Sequence, residues 1–497
     1  MPESRIETPD WVPDAIFYQI FPDRFARSAH VAKPSNLEDW DSAPTTYGFK
    51  GGDLIGVVEH LDYLQDLGVN AIYFNPVFAS TANHRYHTHD YLLVDPILGG
   101  NAALRTLLDE AHRRNVRVIL DGVFNHASRS FFQFSNIVEN GPASPYVDWF
   151  LPRSFPLRPY HAPPGQHGYE AWWNLPALPK LNVNTPAVRQ FLWDVAAYWV
   201  EFGIDGWRLD VPGEIDDDAF WQEFRRRVRA ANPEAYIVGE IWGEAGRWLQ
   251  GDQFDAVMNY VFTRTCLGFF GGENLLQEEV ARCGYHHIDI LSAEEFADQI
   301  DALLALYPRE ITHAQYNLLG SHDTPRFRTL VRGDTTAYRL ATLFQMTYPG
   351  APSIYYGDEI GMSGVHDPGC RGGFPWDESR WDHHLRDYVQ ACIALRHAHP
   401  ALRHGEMKWL FAGHGVVVYL RRLNQDKSPD QDTLIVAINN TRRPVTLDVP
   451  VHDDLEDGTQ VRAVWDGFEA SVTGGRIGGV RIPARAGTVL EVTANSG

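Results

Sequence analysis

No stretch of this 497-residue chain is long and apolar enough to cross a bilayer as a helix. The opening Met1-Pro-Glu-Ser-Arg-Ile6 lacks the basic start, apolar run and small-residue cleavage site of a secretory signal. The first absence excludes a helical membrane anchor, and the second makes the cytoplasm the expected location. Cysteine is scarce. The four, Cys266, Cys283, Cys370 and Cys392, are spaced too widely for a zinc motif or a disulfide scaffold and are expected to be reduced packing residues. Positive charge is the minority sign, and the formal net charge is −21. The one dense basic run, Arg225-Arg-Arg-Val-Arg229, falls in an expected amphipathic helix, where a solvated face is the plainer reading. Overall negative charge repels phosphate backbones, so nucleic acid is not expected as a partner and a neutral substrate fits better. Also missing is a glycine-rich phosphate turn after the first strand. Phe21-Pro-Asp-Arg24 stands there instead, which argues against an open dinucleotide-binding sheet.

What is present points elsewhere. The length exceeds that of one ordinary domain. Aromatic residues reach 12%, with 15 Trp, and flat apolar faces beside a polar edge suit sugar rings. Eight β-branched or aromatic runs alternate with amphipathic stretches: 15–21, 70–75, 117–123, 206–210, 236–241, 254–259, 314–319 and 352–356. Helices are expected over 54–67, 102–115, 186–202, 219–231, 294–307, 335–348 and 385–398. This rhythm predicts an α/β fold, a (β/α)8 TIM barrel over 1–126 and 186–404. Residues 127–185, rich in Pro, Gly and aromatics, interrupt it after strand three and read as an inserted subdomain. Beyond 405 short alternating runs with Asn-Asn, Asp-Gly and Gly-Gly turns predict a C-terminal antiparallel β-sandwich over 405–497.

Polar clusters close four of the eight runs: Asp121 to His126, Arg208 with Asp210, Glu240, and His322 with Asp323. Alternation along a strand puts Arg208 and Asp210 on one face, where the guanidinium keeps the carboxylate ionised as a nucleophile requires. An ion pair that merely ties the barrel together is the equal alternative for that strand alone. Glu240 follows the apolar run Tyr236-Ile-Val-Gly239, whose walls would hold a proton on it. An ionised Asp beside a protonated Glu is the division of labour of glycoside cleavage. Carboxylates buried at so many strand ends are costly unless paired or used.

The segments Asp121-Gly-Val-Phe-Asn-His126, Gly206-Trp-Arg-Leu-Asp210, Gly239-Glu-Ile-Trp242 and Leu319-Gly-Ser-His-Asp-Thr324, in this order, resemble the short motifs of the α-amylase family, glycoside hydrolase family 13. The likeness runs from Ile16 to the C-terminal sandwich. It implies Asp210 as nucleophile, Glu240 as general acid/base and Asp323 as the third carboxylate that grips substrate hydroxyls. Tyr86, Asp121, His126, Arg208 and His322 would line the site for the cleaved sugar, with Trp242 as a further contact. A retaining mechanism is implied, with the Asp210 and Glu240 carboxylates about 5 to 5.5 Å apart.

Within the family, Leu178-Pro-Lys-Leu-Asn182, 83–91 and 251–259 resemble the neopullulanase, cyclomaltodextrinase and maltogenic amylase group. These enzymes cleave α-1,4 and often α-1,6 links in maltooligosaccharides, cyclodextrins, pullulan or starch. That group usually carries an N-terminal β-sandwich, whereas strand one is expected here within the first twenty residues. Dimerisation and a preference for cyclic substrates are therefore not implied. Val211-Pro-Gly also departs from the group's usual Ala-Asn before Glu214, which leaves linkage preference and the balance of hydrolysis against transfer open.

The chemistry implies no cofactor. Where relatives place an Asn/Asp-rich calcium loop, Ala26-Arg-Ser-Ala-His-Val31 offers few oxygens to a hard cation, although Asp53 is retained. A second site would use Asn125 and position 214, so structural calcium stays an open, less favoured expectation. Trp149, Phe150, Tyr169, Trp172, Trp173 and Trp248 are candidates for stacking on sugars, two of the inserted segment's five being expected to do so. The same scaffold also serves α-glucosyl transfer or isomerisation, and a family member can lose its chemistry and only bind.

Overall fold

The structure is a computed structural model and describes residues 6–163, 165–423 and 432–493. The chain folds as two compact units, one of Met1–Asp10, Phe17–Met258 and Arg371–Trp376, the other of Trp11–Ile16, Asn259–Cys370 and Asp377–Gly497. Its strands are those of a (β/α)8 barrel followed by an antiparallel sheet.

The first unit contributes six parallel barrel strands: β1 (Phe17–Ile20), β2 (Ala71–Phe74), β3 (Arg117–Gly122), β4 (Gly206–Leu209), β5 (Tyr236–Gly239) and β6 (Ala256–Val257). They lie side by side in chain order. Strands β1, β2, β4 and β5 are buried throughout, which explains their nearly unbroken apolar sequence. The β3–β4 register sets Asp121 beside Arg208, and the β4–β5 register sets Leu209 beside Gly239. Gly206 makes the β4–β5 approach feasible, because a Cβ there would lie 2.1 Å from the Tyr236 carbonyl oxygen.

Helix Pro186–Phe202 starts with proline in its first turn and stops at Gly203, whose φ of 117° is left-handed. Trp207 points outward from β4 and donates to the Ala196 carbonyl of that helix at 3.2 Å. Helix Asp218–Ala231 is capped by Asp217 and buries Phe220, Trp221, Phe224 and Val228. Its basic run is spent internally: Arg225 and Arg229 each meet Asp255 at 2.7 Å, and Arg226 and Arg227 meet Glu223 at 2.6 Å. The helix expected over 54–67 divides into Leu54–Glu59 and Leu61–Leu67. His60 breaks it, for its Nδ1 lies 2.7 Å from the Gly56 carbonyl that a continuing helix would use.

The inserted segment contains one helix that its Pro-, Gly- and aromatic-rich sequence does not announce, Phe132–Asn140, and is held by isolated bridges such as His126 with Lys180 and Phe150 with Leu181.

In the second unit β7 (Tyr316–Leu318) pairs in parallel with β8 (Ala351–Tyr355). The same unit holds eight antiparallel strands: β9 (Glu406–Gly413), β10 (Val416–Arg422), β11 (Thr433–Asn439), β12 (Val445–Pro450), β13 (Gln460–Ala463), β14 (Glu469–Thr473), β15 (Arg476–Ile482) and β16 (Ala486–Thr493). Their order is β9-β10-β11-β16-β13-β14-β15-β12. Val418, Ile435, Val461, Ile477 and Leu490 share one core, so the sheet folds over on itself as the predicted sandwich.

Candidate active site

Arg208 is the centre of the polar cluster at the strand ends of the first unit. Its Nη1 donates to both oxygens of Asp121 at 2.9 Å and to Oδ1 of Asp210 at 3.2 Å, and its Nη2 stands 3.0 Å from Oε2 of Glu240. Leu209 is paired with Gly239, so Asp210 and Glu240 leave adjacent strands at the same height, and the Glu240 N–H donates to the Leu209 carbonyl at 3.0 Å. Arg208 and Asp121 are almost wholly buried, while Asp210 and Glu240 each retain 8% exposure.

The surroundings of Glu240 differ from the apolar walls that its strand suggested. Oε1 accepts the Trp242 indole N–H at 3.0 Å and Oε2 accepts the Val211 N–H at 3.0 Å. Val211 donates from a left-handed backbone with φ of 37°, an uncommon state for a β-branched residue that costs of order 1–3 kcal/mol. That strain aims an amide at Glu240 directly after Asp210. Beyond it, Lys180 Nζ donates to the Glu214 carbonyl at 3.1 Å and meets its carboxylate at 3.3 Å.

Asp121 is the most enclosed acid. Besides Arg208 its Oδ2 accepts the hydroxyls of Tyr73 at 2.6 Å and Tyr86 at 2.8 Å. Burial pushes its carboxyl above the usual range, against the pull of Arg208 and the two hydroxyls. Burial also works against the charge of Arg208, but Asp121 together with Tyr73, Glu240 and Tyr86 outweighs it and the guanidinium is held more firmly protonated than usual. Asn75 donates to Tyr86 and to Tyr73 at 3.1 and 3.3 Å, and Gln19 donates to Asn75 at 3.0 Å. Gln19, Tyr73 and Asn75 went unsingled in the sequence, although polar side chains within otherwise apolar strands were the available signal.

His126 is buried and neutral, its pKa pushed down to about 3 by burial. Its ring stacks on Trp172 at 5.2 Å and 16°, and Trp172 stacks on Trp173 at 4.3 Å and 12°. Trp173 is 75% exposed. Phe150 and Tyr169 instead pack with Phe134 inside the inserted segment, Trp149 leans on Phe191, and Trp248 stacks on Phe254. His322 and Asp323 belong to the second unit, in the turn after β7. There His322 Nε2 stands 3.2 Å from Asp323 Oδ2, the His322 carbonyl accepts the Cys370 thiol at 3.2 Å, and the Asp323 N–H donates to Ser321 Oγ at 3.2 Å. The Asp323 side chain keeps 28% exposure beside a buried imidazole.

The family model "Alpha amylase, catalytic domain" matches residues 19–413. A cyclomaltodextrinase of a Bacillus species is 47% identical over 450 residues, 90% of this chain and 76% of that protein. The solved structure of Ttha1563 from Thermus thermophilus is 50% identical with a TM-score of 0.92, covering 97% of this chain and 99% of that one. The native debranching enzyme of Nostoc punctiforme is 47% identical with a TM-score of 0.88, covering 98% and 100%.

Proposed function

From the premise that the chain belongs to the alpha-amylase family, we propose that it is a retaining hydrolase of α-glucans, cleaving α-1,4 and α-1,6 glucosidic links in maltooligosaccharides, cyclodextrins, pullulan or starch. The observation that carries this reading is the single guanidinium of Arg208 against Asp121, Asp210 and Glu240. Such a hub fixes two carboxylates on neighbouring strands, and strands run about 4.8 Å apart, close to the spacing of a retaining pair.

Asp210 attacks the anomeric carbon while Glu240 gives its proton to the departing glycosidic oxygen. A covalent glycosyl-enzyme forms, and Glu240 then takes a proton from the water that releases it. Asp121, Tyr86, His126 and Arg208 hold the sugar being cleaved, and Trp242 orients Glu240 and contacts the adjoining sugar. The names cyclomaltodextrinase and debranching enzyme carried by two relatives support both cyclic and branched substrates. All four cysteines are free thiols, which suits a reducing cytoplasm. No helix among the described residues is long and apolar enough to cross a membrane.

Sugar release from cyclodextrin, pullulan and maltotriose by the purified protein tests the reading. Asp210→Asn and Glu240→Gln are each expected to lower kcat by at least about a hundredfold with folding intact. Either variant cleaving as fast as the parent rejects the assignment.

A further inference from the structure

The alpha-amylase likeness implies a calcium ion beside Asp53, and the residues there do not fit one. Both oxygens of Asp53 are engaged. Oδ1 accepts the Gly56 N–H at 2.7 Å as the cap of helix Leu54–Glu59, and Oδ2 accepts the Ser28 N–H at 2.9 Å. Oδ2 also meets the ammonium of Lys33 at 2.9 Å, and the same Nζ donates to the Ile97 carbonyl at 2.6 Å. A positive charge already seated on the carboxylate repels a second one. The other implied position is no better supplied, since the Glu214 carboxylate is bound to Lys180. Among the described residues no group of three or more His, Cys, Asp or Glu could hold a metal.

Lys50 repeats the arrangement from the far end of the same segment. Its side chain is fully buried, and Nζ donates to the Asp39 carbonyl at 2.6 Å, the Ser42 carbonyl at 2.8 Å and the Ser42 hydroxyl at 3.0 Å, with Glu38 Oε2 at 3.8 Å. Oxygens are the ligand type a hard cation takes, although calcium needs six to eight of them. Here a side chain supplies the charge.

We propose that Lys33 and Lys50 take the place of a structural calcium in the segment between β1 and helix Leu54–Glu59. Lys33 is the internal counter-ion of Asp53 and ties the segment to the Pro96–Leu98 turn. Lys50 gathers the turn at 38–42. The two ammonium groups are covalently part of the chain, so chelators cannot withdraw them.

Thermal unfolding of the full-length protein, with metal analysis of the same sample, tests this. Dialysis against EDTA is expected to leave the parent Tm unchanged, added calcium to leave it unchanged, and bound calcium to be far below one per chain. Lys33→Met is expected to lower Tm by a few degrees, because it leaves Asp53 buried without its counter-ion. Lys33→Met with Asp53→Asn should regain part of that loss, since Asn still caps the helix and carries no charge. Stoichiometric calcium in the parent, or a parent Tm that falls in EDTA, overturns the proposal without recourse to any variant. A Lys33→Met protein that melts with the parent, or a double variant no better than the single, overturns it as well.

Discussion

One guanidinium cannot neutralise three buried carboxylates. Around Arg208 one positive charge faces the carboxylates of Asp121, Asp210 and Glu240, and unneutralised charge is costly where it is buried. Asp121 shows the direction, its carboxyl raised by burial even with Arg208 and two tyrosine hydroxyls against it. The neighbouring histidines are displaced the other way. Burial lowers His126 to about 3 and His87 to about 4, so both rings are neutral where a free imidazole would charge. In the unfolded chain they bind protons near pH 6.5, roughly the ordinary value. Stability present above that pH is therefore lost as pH falls toward about 4 and then about 3, because the unfolded state takes up protons that the folded state refuses. Denaturant titrations at about pH 7 and about pH 5 are expected to show the parent losing stability and His87→Gln losing less. Equal slopes for the two proteins would remove His87 from the account. Arg208 and Asp210 were legible from period-two alternation, and Asp121 and Glu240 from their places at strand ends. Val211 was not, because nothing in Asp-Val-Pro announces a left-handed valine, and its role exists only once Glu240 stands 3.0 Å away.

At the scale of elements, the turn carrying Trp172 and Trp173 has the most distinctive construction. Trp173 and Asn174 both take positive φ, 50° and 55°, two successive left-handed residues where L side chains are strained. The strain lays the Trp173 ring flat over Trp172 with its outer face in solvent, and the Trp172 indole N–H, buried, has no acceptor among the described residues. A flat apolar ring beside a spare donor matches a sugar with its C–H face and hydroxyl rim. Trp173→Ala is expected to lower kcat/KM on long glucans by roughly fivefold, about 1 kcal/mol of stacking, while hydrolysis of maltotriose changes less. Unfolding free energy should move by under about 0.5 kcal/mol, since the ring is a surface group. A uniform loss on every substrate, or a fall in stability, would mark the ring as structural. The eight barrel strands were legible because buried parallel strands spell out continuous apolar runs. The break at His60 and the helix Phe132–Asn140 were not, for one depends on a side chain reaching its own helix carbonyl and the other lies in an aromatic-rich stretch where Phe134 packs on Phe150 and Tyr169.

For the whole molecule, the formal charge of −21 governs the approach of ligands rather than the fold. Barrel and sandwich followed from hydrophobic period, and the charge balance separated the sugar reading from a nucleic-acid one before any geometry was known. The arginines of the basic run at 225–229 are paired with Asp255 and Glu223. A neutral glucan feels little of the long-range field, so kcat/KM on maltooligosaccharides is expected to stay flat from low to high salt. Carboxymethylated amylose carries the protein's own sign and should be a poor substrate at low ionic strength. Salt should restore part of its rate as the Debye length shrinks from about 30 Å at 0.01 M to about 8 Å at 0.15 M. The measurement is initial rate against ionic strength for the two substrates side by side. If the neutral glucan responded to salt as strongly as the anionic one, the dependence could not come from repulsion of the substrate's own charge, and the assignment of the field to the approach of charged ligands would fail.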